Sequence, residues 1–189
     1  MGGTGKSEVI KAFVYFVESI SNFFDWNYDS DVIKVTAYTG AAACQIPNGK
    51  TLHSTVCLQA RSITEDNINS WKSTQMLIID EVPFLSEHLF EKTDKHMRIL
   101  KGEKDTMFGG CHIILVGDFF QLLPVGGGLP LFKNNTLQFG AINKAIFLNV
   151  SHRFESDPTY GEIIRRFRIG LITKEDIKMS IQDSFQMTM

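Results

Sequence analysis

The first seven residues, Met1-Gly2-Gly3-Thr4-Gly5-Lys6-Ser7, read as a phosphate-binding loop entered just past its left edge. The full pattern is G-x-x-x-x-G-K-[ST]; Gly5, Lys6 and Ser7 fill its last three places, and its first glycine would fall one position before Met1. Such a loop has to open a helix. Residues without side chains let successive backbone N–H groups point at phosphate oxygens, and the helix presents its positive end to the same charge. In this reading Gly2, Gly3, Thr4 and Gly5 line the cradle, Lys6 reaches the outer phosphates, and the Ser7 hydroxyl sits on Mg²⁺. Glycine-rich turns before helices also serve as plain connectors, so the rest of the chain has to decide.

The helix is there in the pattern: Val9, Ile10, Phe13, Val14, Phe16, Val17 and Ile20 recur at helical spacing. Asn22 to Asp31 reads as a loop. Val32–Ala37 alternates and is β-branched, the mark of a strand. It runs into the small residues Gly40 to Ala43, which suit a close-packed helix or a backbone approached by a ligand. Pro47-Asn48-Gly49 signals a turn, Thr51 to Ser54 a short helical segment, and Ile63 to Lys72 a surface helix. Met76 to Ile79 is a continuous apolar run ending in Asp80-Glu81, the profile of a strand buried on both faces with functional residues at its carboxyl end. Ser86 caps a helix reaching about Leu100 and closed by Gly102. His112–Val116 is a second buried strand, ending in Gly117-Asp118-Phe119-Phe120-Gln121. Residues up to Lys144 read as irregular, Ile146–Val150 as a further strand, Pro158–Ile169 as a helix ended by Gly170, and Thr173 as the cap of one more. Strands alternating with helices predict a single α/β domain with a mostly parallel sheet flanked by helices.

Composition narrows the classes. At 189 residues, 43% hydrophobic and 21% charged, the chain has the makings of a sizeable core, not of a disordered tail. A net charge of −2 gives no global electrostatic footprint for nucleic acid, so any such contact has to be local. Cys44, Cys57 and Cys111 lack the spacing of a disulfide framework or zinc site, which points to a reducing, intracellular compartment. No apolar run approaches membrane-spanning length, and no membrane partner is expected.

Asp80 and Glu81 divide naturally into a magnesium-holding carboxylate and one that acts on an attacking water. The alternative is a helix N-terminus, where acidic residues are common. Gln121, after a buried strand, can donate to a γ-phosphate while accepting from the water.

Several segments occur in order: Gly3-Thr4-Gly5-Lys6-Ser7, Thr36-Ala37-Tyr38-Thr39-Gly40-Ala41-Ala42-Ala43, Thr51-Leu52-His53-Ser54, Ile79-Asp80-Glu81-Val82, and Phe108-Gly109-Gly110 through Gly117-Asp118-Phe119-Phe120-Gln121-Leu122-Leu123-Pro124-Val125. Together they resemble the first motor domain of the Pif1-like branch of superfamily 1 DNA helicases, Helitron helicases included. Leu148 to Phe154 with Asp157 resembles that family's fourth motif. Three positions depart from the usual pattern: Pro83, Leu123 and Phe154.

The resemblance implies a RecA-like P-loop domain over residues 1–178 with its first strand missing, followed by a tail at 179–189. It also implies ATP and Mg²⁺ as cofactors. By resemblance Asp80 holds the metal, Glu81 acts on water, Gln121 senses the γ-phosphate, and Arg153 stabilises charge on the transferring phosphoryl group. Thr39, Gly40, His53 and Ser54 would lie beside single-stranded DNA, where hydroxyls and small residues suit phosphate approach. His53 alone would otherwise be a packing residue, and Phe84 either a base-stacking ring or core. The implied function is 5′ to 3′ translocation on single-stranded DNA, in repair, recombination and telomere maintenance. The location is nuclear or, alternatively, mitochondrial. The second RecA-like domain is expected elsewhere in the protein. The alternatives are a P-loop ATPase that is not a helicase, or a transposon-derived remnant that only binds DNA.

Overall fold

The computed structural model describes residues 3–24, 29–121, 123–124, 127–133, 142–150 and 152–179. They divide into two compact units, one of residues 6–146 and a smaller one of residues 1–5 with 147–189, a boundary that the sequence pattern does not mark.

The larger unit is built on four parallel strands in the order β2-β1-β3-β4, with β1 at Ile33–Ala37, β2 at Lys50–Thr51, β3 at Met76–Asp80 and β4 at His112–Leu115. Helix α1, Lys6–Phe23, comes before β1; short helices α2 (Gly40–Ala43), α3 (Leu52–Thr55) and α4 (Glu65–Asn69) lie between β1 and β3; α5, Glu87–Lys101, precedes β4. The central β3 shows why a continuous apolar run is needed there: alternate side chains go to opposite faces. Ile78 packs with Ile10 of α1, Ile33, Val35 and Ile46 on one side. Leu77 and Ile79 pack with Leu52, Trp71, Phe90, Met97 and Leu100 on the other. Even the polar Thr36 is accommodated in the sheet, its hydroxyl donating to the Ile78 carbonyl at 2.8 Å.

Helix α5 is bounded by local chemistry. Ser86 Oγ accepts from the Leu89 N–H, and Gly102 closes the helix at φ 70°. Within it, buried Asp94 accepts from the Phe108 N–H at 2.6 Å and from Arg98 at 2.9 Å, which anchors the turn leading into β4.

Three expectations need correction. Residues 63–72 do not form one surface helix: Thr64 and Asn67 make a capping box, the helix ends at Asn69, and Trp71 turns into the core with its indole N–H on the Thr55 carbonyl. The Lys101 ammonium, donating to the carbonyls of Trp71, Lys72 and Thr74, holds that turn. β4 is only half-buried, because among the described strands it pairs with β3 alone. Residues 142–150 form no strand and are exposed; an apolar run such as Ile146 to Leu148 becomes a strand only where a neighbour takes up its N–H and C=O groups, and no described strand does so.

In the smaller unit α6 spans Pro158–Arg168, its N-cap Asp157 accepting from the Tyr160 N–H at 2.9 Å. Residues 174–179 are helical, as the Thr173 cap predicts, with the Asp176 N–H donating to the Thr173 hydroxyl. Arg166 grips the buried Asp176 carboxylate through two N–H groups and so ties the two helices together. That pairing, with the Thr173 N–H, holds the Asp176 pKa far below the usual carboxylate range.

Candidate nucleotide and nucleic-acid site

The glycines of the opening loop take backbone conformations that other residues reach only with strain: Gly3 has φ +75° and Gly5 φ +79°. Gly3 has a second reason to lack a side chain. Within the smaller unit its carbonyl accepts from the His152 N–H at 2.9 Å, and a Cβ on it would collide with Cβ of Arg153. Arg153, itself exposed, therefore belongs to the same unit as the loop's glycines and adjoins Gly3. Thr4 is buried, and Gly2 lies outside the described residues.

Helix α1 starts at Lys6, with Ser7 in its first turn, so the helix end and the lysine are set where a phosphate would be met. The charge of Lys6 reaches Asp80, at the carboxyl end of β3. Burial pushes the Asp80 pKa up, and the N–H of Glu81, donating at 2.8 Å, and the positive charge of Lys6 only partly offset it. A desolvated carboxylate facing a lysine is suited to a divalent cation. Among the described residues no group of three or more acidic, histidine or cysteine side chains could hold a metal ion. That is compatible with Mg²⁺, which takes one or two protein oxygens and fills its other positions with phosphate and water. Asp80 and the Ser7 hydroxyl are the residues that would hold it, and when bound it would neutralise charge between the outer phosphates.

Register then gathers the remaining groups. Ala37 pairs with Asp80 and Ile79 with Leu115, so the segments leaving β1, β3 and β4 emerge side by side. Glu81 has φ +59°, left-handed backbone that a non-glycine adopts at a cost, and enters a 3-10 turn at Val82–Phe84. Its Oε2 accepts from the Thr39 hydroxyl at 3.0 Å. The Val82 N–H donates to the Val116 carbonyl, and a Cβ on Gly117 would lie 2.5 Å from Cδ of Pro83. Pro83, unusual for the resembled family, is thus accommodated by a glycine. Beyond Gly117, buried Asp118 accepts from the Phe120 N–H and from the Gln121 amide at 3.4 Å, so exposed Gln121 is held by the turn before it.

The residues expected beside DNA separate by burial. Gly40 and Ser54 are exposed, Thr39 and His53 half-buried. Thr39 caps α2, accepting from the Ala42 N–H at 3.2 Å. Ser54 is bonded to Thr51. His53 packs edge-on against Tyr38, ring centres 5.6 Å apart, and Tyr38 stacks on Phe84 at 5.7 Å. Burial first, and then Lys92, lower the His53 pKa and so disfavour the charged ring. Both ambiguous residues, His53 and Phe84, thus meet in one half-buried aromatic cluster.

Two features escaped the sequence reading. The Thr39–Glu81 hydrogen bond joins residues 42 apart and exists only because β1 and β3 end level. The second is the anchoring role of Asp118: in sequence it reads only as part of a turn, and the signal is an Asp whose carboxylate can accept from the N–H two residues on.

A parallel sheet with helices on both faces, a glycine-rich loop opening a helix, and carboxylates at the end of the neighbouring strand define a RecA-like α/β nucleotide-binding domain. Within that class the chain belongs to the PIF1-like helicases, whose family model matches residues 1–137. It is 30% identical over 191 residues to the ATP-dependent DNA helicase PIF1 of Emericella nidulans, covering 93% of this chain and 25% of that protein. It is also 30% identical over 195 residues to the ATP-dependent DNA helicase RRM3 of Saccharomyces cerevisiae, with the same coverages. Among solved structures, Pif1 helicase from Candida albicans superposes with a TM-score of 0.76 at 26% identity, over 94% of this chain and 41% of that one. A Bacteroides Pif1 in complex with ADP-AlF3 and single-stranded DNA, 24% identical, shares the fold with a TM-score of 0.75 over 93% of this chain and 42% of that one. The chain spans about a quarter of the length of these curated relatives. No helix among the described residues is long and apolar enough to cross a membrane.

Proposed function

We propose that this chain is the greater part of the first motor domain of an ATP-dependent DNA helicase, with residues 1–178 as the RecA-like portion and 179–189 as a tail. The observation that carries the reading is the convergence of Lys6, Asp80, Glu81 and Thr39 at the carboxyl ends of β1 and β3. Gly2, Gly3, Thr4, Gly5, Lys6 and Ser7 bind the ATP phosphates, and Asp80 with Ser7 holds Mg²⁺. Glu81 orients the attacking water, Gln121 senses the γ-phosphate, and Arg153 stabilises the transferring group. Thr39, Gly40, His53 and Ser54 face single-stranded DNA. Hydrolysis at this site drives 5′ to 3′ movement together with a second RecA-like domain of the same protein, in DNA repair, recombination and telomere maintenance in the nucleus or mitochondrion. Relatives named as ATP-dependent DNA helicases, and one solved with a nucleotide analogue and single-stranded DNA, support the assignment.

The test is ATP hydrolysis by the full-length protein with and without an oligo(dT) strand. DNA should stimulate the rate, and Lys6→Ala should abolish it, a loss on the order of 10³-fold or more. Hydrolysis indifferent to DNA would instead mark a nucleotide hydrolase of another kind. The 189-residue chain alone should hydrolyse poorly and displace no strand; sustained unwinding by it would refute the need for a second motor domain.

A further inference from the structure

One hydroxyl connects the two halves of the proposed activity. Thr39 Oγ1 accepts from the Ala42 N–H at 3.2 Å and donates its hydrogen to Glu81 Oε2 at 3.0 Å. A threonine hydroxyl has a single hydrogen, so it serves one acceptor at a time. The scaffold around it is stiff: β1 and β3 run in register to Ala37–Asp80, and the Tyr38 N–H continues the ladder onto the Asp80 carbonyl at 3.3 Å. The neighbouring Gly40 is exposed, with open space where a Cβ would stand, so a phosphate has room to approach that turn. The Glu81 backbone, left-handed at φ +59°, fixes where its carboxylate starts from and leaves the side-chain rotamers as its freedom.

Resting on the reading of Glu81 as the water-orienting carboxylate and of Thr39 as a DNA contact, we propose that Thr39 is a positioning residue that couples DNA binding to hydrolysis. Without DNA, its hydroxyl holds Glu81 Oε2 and keeps that oxygen from the attacking water. When a single-stranded DNA phosphate takes the hydroxyl's hydrogen, Glu81 is released and turns to accept from the water. The coupling is a competition between two oxygen acceptors for one donor.

The experiment compares wild type, Thr39→Val and Thr39→Ser in the full-length protein, measuring hydrolysis with and without oligo(dT) and oligo(dT) affinity by fluorescence anisotropy. Thr39→Val should raise the DNA-free rate about fivefold, the rate equivalent of one net hydrogen bond, and shrink the stimulation ratio by the same factor even at saturating DNA. Thr39→Ser, which keeps the hydroxyl, should restore both. A merely structural cap would lower the two rates together and leave the ratio intact. A DNA-free rate of Thr39→Val at or below wild type with an unchanged ratio overturns the proposal. A second readout does not need turnover: in protein carrying ¹³C-labelled glutamate, the Glu81 carboxyl resonance should move when oligo(dT) is added to wild type. In Thr39→Val it should already stand near the DNA-bound position. Saturation with DNA that leaves this resonance unmoved sinks the coupling while sparing the helicase reading. Absence of any oligo(dT) binding or of Lys6-dependent hydrolysis sinks the reading itself, and the coupling with it.

Discussion

Asp80 and Glu81 are adjacent and held in opposite ways. Asp80 is buried and its pKa is raised, whereas Glu81 is anchored by backbone conformation and by one hydroxyl. A raised folded-state pKa means that the ionised form costs stability at neutral pH. The cost fades as the pH falls through that pKa and is gone below the ordinary value of 3.8, where the folded and unfolded forms are both protonated. Asp80→Asn should therefore melt higher than wild type at pH 7, by roughly 2 °C in the absence of nucleotide. The advantage should narrow as the pH drops toward 4, and binding of Mg²⁺-ATP should be lost. Calorimetry across that range checks the sign; a variant that melts lower at pH 7 would mean that Lys6 and the Glu81 N–H outweigh burial. Such a gain of stability on loss of function is usual where a site carries uncompensated charge. These carboxylates were legible in the sequence because a strand-end acidic pair after an apolar run has few other uses. The hydroxyl that ties Glu81 was not, since neither residue's neighbours in sequence reveal the strand register that joins them.

At the scale of elements, legibility followed whether a segment's fate depends on its own pattern. α1, α5 and α6 announced themselves through periodicity and caps, and β3 through its unbroken apolar run. Trp71 broke the pattern expected for residues 63–72, since a tryptophan at the end of a polar stretch is buried in a core cluster, and its N–H met by a distant carbonyl, that only the fold supplies. β2 is two residues long and leaves no period to detect. The α6 connection to the last helical turn carries its own prediction. Arg166 keeps the Asp176 pKa far below the usual range, so this carboxylate contributes stability above the ordinary 3.8 and loses it only as the pH falls through the lower folded-state value. Asp176→Asn should destabilise the smaller unit at pH 7, visible as faster amide exchange in α6. The gap between variant and wild type should begin to close below about pH 4 and vanish in stronger acid. A gap that stays constant down to the acid limit would place the effect in helix capping at Thr173 instead.

Across the whole molecule, burial is uneven in a way that bears on behaviour in solution. Helix α1 turns Ile10 inward, with Phe13, Val14 and Val17 partly covered against the sheet. Its other side presents Val9, Phe16 and Phe23, spaced seven residues apart and so on one face, with Phe16 58% and Phe23 82% exposed. Tyr15 and Phe24 widen that face, and half-buried β4 adds an apolar strand paired on one side only among the described strands. Apolar surface of this extent and an open strand edge both favour association. The purified 189-residue chain should therefore self-associate as its concentration rises, seen as an increasing weight-average mass in sedimentation equilibrium. Phe16→Glu combined with Phe23→Glu removes two large exposed rings without touching the core, so the helix content should hold while the association weakens at least tenfold, about 1.4 kcal/mol. If association instead persists undiminished in that double variant, the aromatic face of α1 is not what the copies share.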